Sequence, residues 1–292
     1  MKVGVVGAGV MGTGVAQCFA AAGHEVLVTD PYASALSSAP SRLQQGLRQR
    51  ALLGSAHPEA PDRILQRIRW SAQLEDLADT EFVVECALER RPVKEQVFRD
   101  LDRICPATAV LASCTSAIPI GSLGAVTARP DRVIGTHFMN PAPLKDTVEV
   151  IRPPTTSDET LRRTLELLTA IGKNPIVVGD GPGFVSNRVL MLTVNQAITV
   201  VHEGIADATK VDEIFEKCAG HSMGPLRTAD LIGLDTVLDS LIVLRDCTTN
   251  PAFEPCPLLV DLVHQGHLGR KTGHGFHHYS PQTLNPPSAS RH

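Results

Sequence analysis

The segment that decides the fold is Lys2-Val-Gly-Val-Val-Gly-Ala-Gly-Val-Met-Gly12, at the start of the chain. Its first half is a run of apolar residues that is typical of a buried β-strand. Its second half holds glycines at positions 7, 9 and 12, in the spacing G-x-G-x-x-G, and a helical pattern runs on to Ala22. A strand, a glycine turn and a helix in this order predict a loop that binds a dinucleotide.

Each glycine of this turn has its own expected role. Gly7 permits the tight turn, Gly9 lets a pyrophosphate approach the backbone, and Gly12 lets the helix and the strand pack closely. The start of the helix then offers N–H groups and a partial positive charge to the phosphates.

The second predicted strand, Glu25–Thr29, ends at Asp30. A carboxylate at this place accepts both ribose hydroxyls of an adenosine and repels a 2′-phosphate. The next basic residue along the chain is Arg42. The sequence therefore predicts NAD rather than NADP as the cofactor. The expected contacts are Gly7, Gly9, Val10, Met11, Gly12 and Asp30.

Strand-like and helix-like segments alternate through the first two thirds of the chain. The predicted strands are Val3–Val6, Glu25–Thr29, Ile68–Ser71, Phe82–Glu85, Ala109–Ser113, Val133–His137, Thr147–Ile151 and Pro175–Val178. The predicted helices between them include Gly12–Ala22, Ser41–Leu53, Pro92–Ile104 and Asp158–Ile171. This alternation predicts a mostly parallel sheet that is covered by helices on both faces.

The pattern changes after Gly183, where helical runs follow one another without a predicted strand. The predicted fold class is therefore α/β, with a Rossmann-type, mostly parallel sheet domain over residues 1–180 and an all-α domain over residues 181–280. Residues 281–292 hold three prolines and small polar residues, and we expect a disordered tail there.

Composition excludes several classes of protein. The chain has 292 residues and a net charge of −4, so it has no strong basic field for a nucleic acid. Its seven cysteines are scattered and never form C-x-x-C, which predicts neither a metal site nor a disulfide framework and favours a reducing, cytoplasmic compartment. No apolar run reaches the ~20 residues that span a bilayer, and the chain enters its first strand with no signal-peptide pattern before it.

Polar residues collect at the ends of predicted strands. Ser116 follows one strand closely, His137 ends the next, and Glu149 lies inside the apolar run Thr147–Ile151. An unpaired carboxylate in such a run costs several kcal/mol, so Glu149 needs a partner, and His137 is the obvious one. Taken singly, each residue also has a structural interpretation, because Ser116 and Asn187 could cap helices and Glu149 could face solvent.

Several strings in the chain carry a resemblance to a known family. They are Gly7–Gly12, Ser113-Cys-Thr-Ser116, His137-Phe-Met-Asn-Pro141, Val148-Glu-Val150, Pro182-Gly-Phe-Val-Ser-Asn-Arg188, Asp230-Leu-Ile-Gly-Leu-Asp235 and Gly269-Arg-Lys-Thr-Gly273. In this order, over residues 1 to about 279, they resemble the L-3-hydroxyacyl-CoA dehydrogenase family. The resemblance implies an NAD-dependent oxidoreductase that acts on the C3 hydroxyl of an acyl thioester, with a helical domain that forms a homodimer.

The resemblance also implies roles for individual residues. His137 corresponds to the catalytic base and Glu149 to the carboxylate that orients it. Ser116 and Asn187 correspond to the groups that bind the substrate's oxygens. The remaining implied cofactor contacts are Glu89, Lys94, Asn140 and Lys271.

The chain departs from the family pattern at a few positions. Cys114 stands where the family usually has Asn, and Asp146 where Lys is common. Gly46 and Leu53 fall where a Ser and a Lys contact coenzyme A. The carrier of the thioester therefore stays open between coenzyme A and an acyl carrier protein. The second carrier belongs to a similar branch that oxidises glyceryl-acyl carrier protein towards polyketide extender units.

Two further classes remain as alternatives. A sugar-acid dehydrogenase on a related fold would need a catalytic Lys in the predicted helix Val185–Glu203, which contains none. A catalytically inactive NAD-binding protein would not need Ser116, His137, Glu149 and Asn187 together. The acyl chain length and the physiological direction stay undetermined.

Overall fold

A computed structural model of the chain describes residues 1–52 and 59–279. It divides into two compact units, Met1–Phe184 and Val185–His292. The predicted tail at 281–292 and the predicted helix end at Leu53 lie outside the described residues.

The first unit is built on one sheet of eight strands, in the spatial order β3-β2-β1-β4-β5-β6-β7-β8. The strands are β1 (Lys2–Val6), β2 (Glu25–Thr29), β3 (Ile68–Ser71), β4 (Phe82–Glu85), β5 (Val110–Ser113), β6 (Val133–Phe138), β7 (Thr147–Arg152) and β8 (Asn174–Gly179). Neighbouring strands are parallel, except that β6 and β7 pair antiparallel. All eight predicted strands are therefore present.

Eleven α-helices occur in the described parts of the chain. Six belong to the first unit: α1 (Val10–Ala21), α2 (Ala33–Leu52), α3 (Pro61–Gln66), α4 (Arg91–Ile104), α5 (Ile120–Gly124) and α6 (Asp158–Ala170). Five form the second unit: α7 (Ser186–His202), α8 (Ala208–Cys218), α9 (Pro225–Ile232), α10 (Leu234–Thr248) and α11 (Pro257–His264). The predicted fold class, an α/β sheet domain followed by an all-α domain, is confirmed. Within residues 1–52 and 59–279, no helix has the length and apolar character that crossing a bilayer requires.

The core of the first unit lies on both faces of the sheet. Successive side chains of a strand point to opposite faces, and so Phe82 and Val84 belong to one apolar cluster while Val83 belongs to the other. Strands that are buried on both faces need an unbroken apolar run rather than an alternating one. This is why β4, β5 and β6 are buried along their whole length.

One helix is longer than its sequence predicts. The predicted helix begins at Ser41, but α2 begins at Ala33 and contains Pro40. A proline inside a helix removes one backbone hydrogen bond and disfavours the helix around it. Polar side chains supply donors in this stretch, since the Ser38 hydroxyl donates to the carbonyl of Ser34 and the Arg42 guanidinium donates to that of Ala35.

Short helices were the elements that the sequence did not indicate. α3, α5 and α9 contain six, five and eight residues. Little more than two turns, as in the longest of these, gives too few residues to establish an apolar period. Each follows or begins with a proline, which is the signal in the sequence that marks these helix starts.

Phe98 tests the packing of α4 on the sheet. Its side chain is fully buried in the cluster that contains Leu101 and Leu111. We expect Phe98→Ala to lower the free energy of unfolding by about 3–5 kcal/mol, because it leaves a cavity in a packed core. Urea unfolding followed by circular dichroism measures this. Arg99→Ala, on the exposed side of the same helix, is the matched control, and an equal loss in both variants would contradict the packing assignment.

Candidate active site

The turn after β1 has the backbone that its glycines were expected to permit. Gly7 has φ +103°, and a Cβ there would lie 2.5 Å from the carbonyl oxygen of Cys86. A Cβ on Gly12 would lie 1.8 Å from the carbonyl oxygen of Gly7. A Cβ on Gly9 would meet nothing within 4 Å. Two of the glycines therefore make the turn possible, while the third leaves open space beside the backbone at the start of α1, which fits a dinucleotide's pyrophosphate.

Asp30 holds this turn through its carboxylate. One carboxylate oxygen accepts the N–H of Ala8 at 2.8 Å, and the other accepts the N–H of Tyr32 at 2.9 Å. The side chain is buried next to the glycine turn. Because each carboxylate oxygen has two lone pairs, both retain capacity for ribose hydroxyls. The geometry is compatible with the predicted contact between Asp30 and an adenosine ribose.

Three side chains form a hydrogen-bonded row at the end of β6. His137 and Glu149 lie directly opposite each other on the antiparallel strands β6 and β7. The Nδ1 atom of His137 is 3.1 Å from Oε2 of Glu149, and its Nε2 atom is 3.1 Å from Oγ of Ser116. His137 and Glu149 are 7% and 6% exposed. The partner that burial of Glu149 required is therefore the predicted one.

This geometry assigns the proton on a neutral imidazole. A carboxylate only accepts hydrogen bonds, so Nδ1 of His137 carries the hydrogen and Nε2 is left with its lone pair. The Ser116 hydroxyl is the donor to that lone pair. The ring of Phe184 packs on the imidazole with 5.9 Å between ring centroids. The row can accept a proton at Nε2 and stabilise the resulting charge through Glu149.

The row lies at the same edge of the sheet as the glycine turn. β1, β4, β5 and β6 are mutually parallel, so their carboxyl ends point the same way. In open α/β sheets, ligands bind outside this edge. Gly7 follows β1, Ser116 lies three residues beyond β5, and His137 is at the end of β6.

A buried ion pair supports the turns after β4 and β5. Lys94 donates to Glu85 at 2.7 Å and lies 3.3 Å from Glu89, and Glu85 also accepts from the Ser113 hydroxyl at 2.6 Å. Burial alone would lower the pKa of Lys94, but the carboxylates of Glu85 and Glu89 outweigh that effect and hold its pKa above the ordinary value. Lys94 is 1% exposed. In this structure Lys94 holds the carboxylates of Glu85 and Glu89 in place.

Glu89 fixes the segment that carries Ser116. Its Oε1 atom accepts the N–H of Ser116 at 3.0 Å and that of Ala117 at 3.3 Å, and it also accepts from the Thr115 hydroxyl. Charge-assisted hydrogen bonds of this kind are about twice as strong as neutral ones. The side chain of Glu89 therefore holds the backbone from which the Ser116 hydroxyl reaches His137.

The other predicted cofactor contacts lie in separate places. Asn140 is exposed in the turn between β6 and β7, and it shares a groove with Val10 of α1. In the second unit, Lys271 donates to both carboxylate oxygens of Asp235 at 2.5 Å. Asn187 lies in the first turn of α7, also in the second unit. The roles of these three residues stay predictions.

Sequence analysis missed two residues of the site. Glu85 is a fully buried carboxylate at the end of an apolar strand, which is the same signal that singled out Glu149. Phe184 has φ +53°, and a bulky residue in the left-handed region costs roughly 1–3 kcal/mol. No sequence pattern indicates such a conformation at Phe184.

The departures from the family pattern have local explanations in part. A Cβ on Gly46 would lie 2.5 Å from Oε1 of Gln17, so the missing side chain lets α2 approach α1. Cys114 is buried, and its backbone N–H donates to the carbonyl of Glu85 at 2.8 Å. Nothing in the structure explains Asp146.

Comparison with known proteins decides the family. Residues 2–181 match the model of the NAD-binding domain of 3-hydroxyacyl-CoA dehydrogenase, and residues 183–279 match the model of its C-terminal domain. The chain belongs to the 3-hydroxyacyl-CoA dehydrogenase family. This confirms the predicted family, the NAD cofactor and the predicted class of enzyme, an NAD-dependent oxidoreductase of 3-hydroxyacyl thioesters.

Individual relatives agree over nearly the full length. The chain is 43% identical over 282 residues to a probable 3-hydroxybutyryl-CoA dehydrogenase of Bacillus subtilis, covering 97% of this chain and 98% of the relative. It is 41% identical over 278 residues to the 3-hydroxybutyryl-CoA dehydrogenase of Bradyrhizobium diazoefficiens, covering 95% of each. The crystal structure of the (S)-3-hydroxybutyryl-CoA dehydrogenase of Ralstonia eutropha is similar, with a TM-score of 0.88 at 39% identity over 96% of this chain and 99% of that one.

Gly9 tests the approach of the cofactor to the backbone. We expect Gly9→Ala to leave thermal stability nearly unchanged, because its Cβ meets no neighbour, and to weaken NADH binding about tenfold or more, because a methyl group stands where the pyrophosphate approaches. Titration of NADH fluorescence measures the dissociation constant. Gly179→Ala adds a methyl group in equally open space on β8 and is the control. Unchanged NADH affinity in Gly9→Ala would exclude the assignment.

Proposed function

We propose that this enzyme oxidises the C3 hydroxyl of a short 3-hydroxyacyl thioester, with His137 as the base. When bound, NAD supplies the acceptor for the hydride that leaves C3. The observation that carries the proposal is the Ser116–His137–Glu149 row, with 3.1 Å at each contact, at the same edge of the sheet as the glycine turn.

The base has to receive the proton of the C3 hydroxyl as the hydride departs. Nε2 of His137 carries the lone pair for this, since Nδ1 is hydrogen-bonded to Glu149. A substrate hydroxyl within about 2.6–3.2 Å of Nε2 would be in reach of the transfer. In the opposite direction, the imidazolium returns the proton to the oxygen.

Glu149 supports the base in two ways. Its hydrogen bond fixes the tautomer that places the lone pair on Nε2, and its charge stabilises the imidazolium once the proton has arrived. A carboxylate in a buried place exerts this effect more strongly than one in water, because the local dielectric constant is lower. Glu149 is buried, as this role requires.

Ser116 and Asn187 are proposed to bind the oxygens of the substrate. A hydroxyl and an amide can both donate to oxygen as charge develops on it, and loss of one such donor typically costs about 3–4 kcal/mol of transition-state stabilisation. Support for Ser116 comes from its contact with the base and from the backbone hydrogen bonds to Glu89 that hold its segment. For Asn187, the support is the family resemblance alone.

Coenzyme A is the carrier that we favour, because the named relatives are 3-hydroxybutyryl-CoA dehydrogenases. The specific observation in favour of an acyl carrier protein is Gly46, which stands where the family's serine contacts coenzyme A. By the same resemblance we propose a homodimer. The seven thiols, none of them in a disulfide, suit the proposed cytoplasmic location.

Replacement of the base separates chemistry from cofactor binding. We expect His137→Gln to bind NADH normally and to lower kcat by about 10² to 10⁴-fold, because glutamine keeps a polar side chain of similar size but accepts no proton. Stopped-flow turnover and an NADH titration measure the two effects. His264→Gln, an exposed histidine of α11, is the control. Full activity of His137→Gln would remove the proposed base.

A direct comparison of carriers identifies the substrate. The enzyme is incubated with NAD and either 3-hydroxybutyryl-CoA or glyceryl-loaded acyl carrier protein, and the absorbance of the reduced cofactor is followed. We expect turnover with the coenzyme A thioester. Turnover with the loaded carrier protein alone would replace our carrier assignment, and no turnover with either would contradict the proposed substrate class.

A further inference from the structure

Arg42 contacts the glycine turn from 34 residues away along the chain. Its Nη2 atom donates to the carbonyl oxygen of Ala8 at 2.6 Å. The same nitrogen donates to the carbonyl of Ala35 at 3.0 Å, and Nη1 donates to the Ser38 hydroxyl at 2.8 Å. Arg42 therefore ties α2 to the turn that follows β1.

The peptide groups on both sides of Ala8 are consequently fixed by hydrogen bonds to side chains. Asp30 accepts the N–H of Ala8, which belongs to the peptide bond between Gly7 and Ala8. Arg42 donates to the carbonyl of Ala8, which belongs to the peptide bond between Ala8 and Gly9. An anion and a cation thus fix two consecutive peptide planes, and Ala8 itself is fully buried between them.

The second of these planes carries the N–H of Gly9. In a planar trans peptide the N–H points opposite to the carbonyl. With the Ala8 carbonyl held towards Arg42, the N–H of Gly9 is turned away from Arg42. Gly9 is exposed at the start of α1, the end of a helix at which phosphates bind.

We infer that Arg42 is a positioning residue for the dinucleotide. It acts through the Ala8–Gly9 peptide, whose orientation it sets before the cofactor arrives, and so it favours binding without taking part in hydride or proton transfer. Preorganised donors bind more tightly because their ordering cost is already met by the folded protein. The inference concerns cofactor binding, which rests on the family's NAD-binding domain and not on the proposed substrate.

The test compares NADH binding in two matched variants of α2. Arg42→Met removes the donors and keeps much of the apolar stem, and Arg48→Met makes the same change at an exposed position of the same helix. We expect the NADH dissociation constant to rise about tenfold in Arg42→Met, as for loss of one hydrogen bond to a charged group. We expect Arg48→Met to match the unmodified enzyme. NADH titration needs no substrate, so the result is independent of the proposed function.

Steady-state kinetics separate positioning from a merely structural role. We expect KM for NAD to rise about tenfold in Arg42→Met while kcat stays within about twofold, whereas a structural role would lower the melting temperature and leave KM unchanged. A dissociation constant within twofold of the unmodified enzyme, or an equal rise in Arg48→Met, would overturn the inference.

The conservative variant keeps the inference testable if Arg42→Met does not fold. Arg42→Lys retains one charge but lacks the planar fork that serves Ala8, Ala35 and Ser38 together. We expect its NADH dissociation constant to rise about threefold to fivefold. Affinity equal to that of the unmodified enzyme in a folded Arg42→Lys would refute the positioning role.

Discussion

The site depends on the antiparallel pairing of β6 with β7, in a sheet that is otherwise parallel between neighbours. Antiparallel neighbours need only a short turn between them, so two residues that are 12 apart in sequence come to lie opposite each other. In this ladder the imidazole of His137 and the carboxylate of Glu149 share one face. Burial of Glu149 would be costly without the ring, and the ring would be unoriented without Glu149. The imidazole therefore offsets the cost of burying Glu149, and Glu149 orients the imidazole.

A buried ion pair, Lys94 with Glu85, supports the segment that carries Ser116. Breaking a buried ion pair by removing one partner typically costs about 3–5 kcal/mol, because a lone charge remains in the interior. Glu85 and Lys94 form a buried pair of this kind, and Lys94 also lies 3.3 Å from the exposed carboxylate of Glu89. Glu89 in turn accepts the backbone N–H groups of Ser116 and Ala117. Ser116 is thus linked through Glu89 and Lys94 to Glu85, which is buried in the sheet.

The His137–Glu149 pair could be predicted from the sequence, but the contact of Arg42 with the glycine turn could not. The eight strands and the glycine turn follow from apolar runs and from spacing, and the His137–Glu149 contact follows from the cost of a lone buried carboxylate. Arg42 could not be found in this way, since its target is the carbonyl of Ala8, a group that every residue possesses. Its distance from Asp30 in sequence predicts that no cation lies near the glycine turn. The structure corrects this, because α2 brings Arg42 back to that turn. Glu85 carries the same signal in the sequence as Glu149, since each is a carboxylate in an apolar strand.

The turn at residues 139–146 has a further consequence for how this enzyme can change over evolutionary time. The ladder between β6 and β7 sets the facing of His137 and Glu149 by itself. A change of length within the turn would therefore leave that facing intact, but it would displace Asn140, a predicted cofactor contact, and Ala142, which is buried in the core of the first unit. A single-residue insertion inside β7 ahead of Glu149 would instead rotate the carboxylate to the opposite face of the sheet. The number of residues in β7 before Glu149 is therefore a constraint on the His137–Glu149 pair that is independent of the turn.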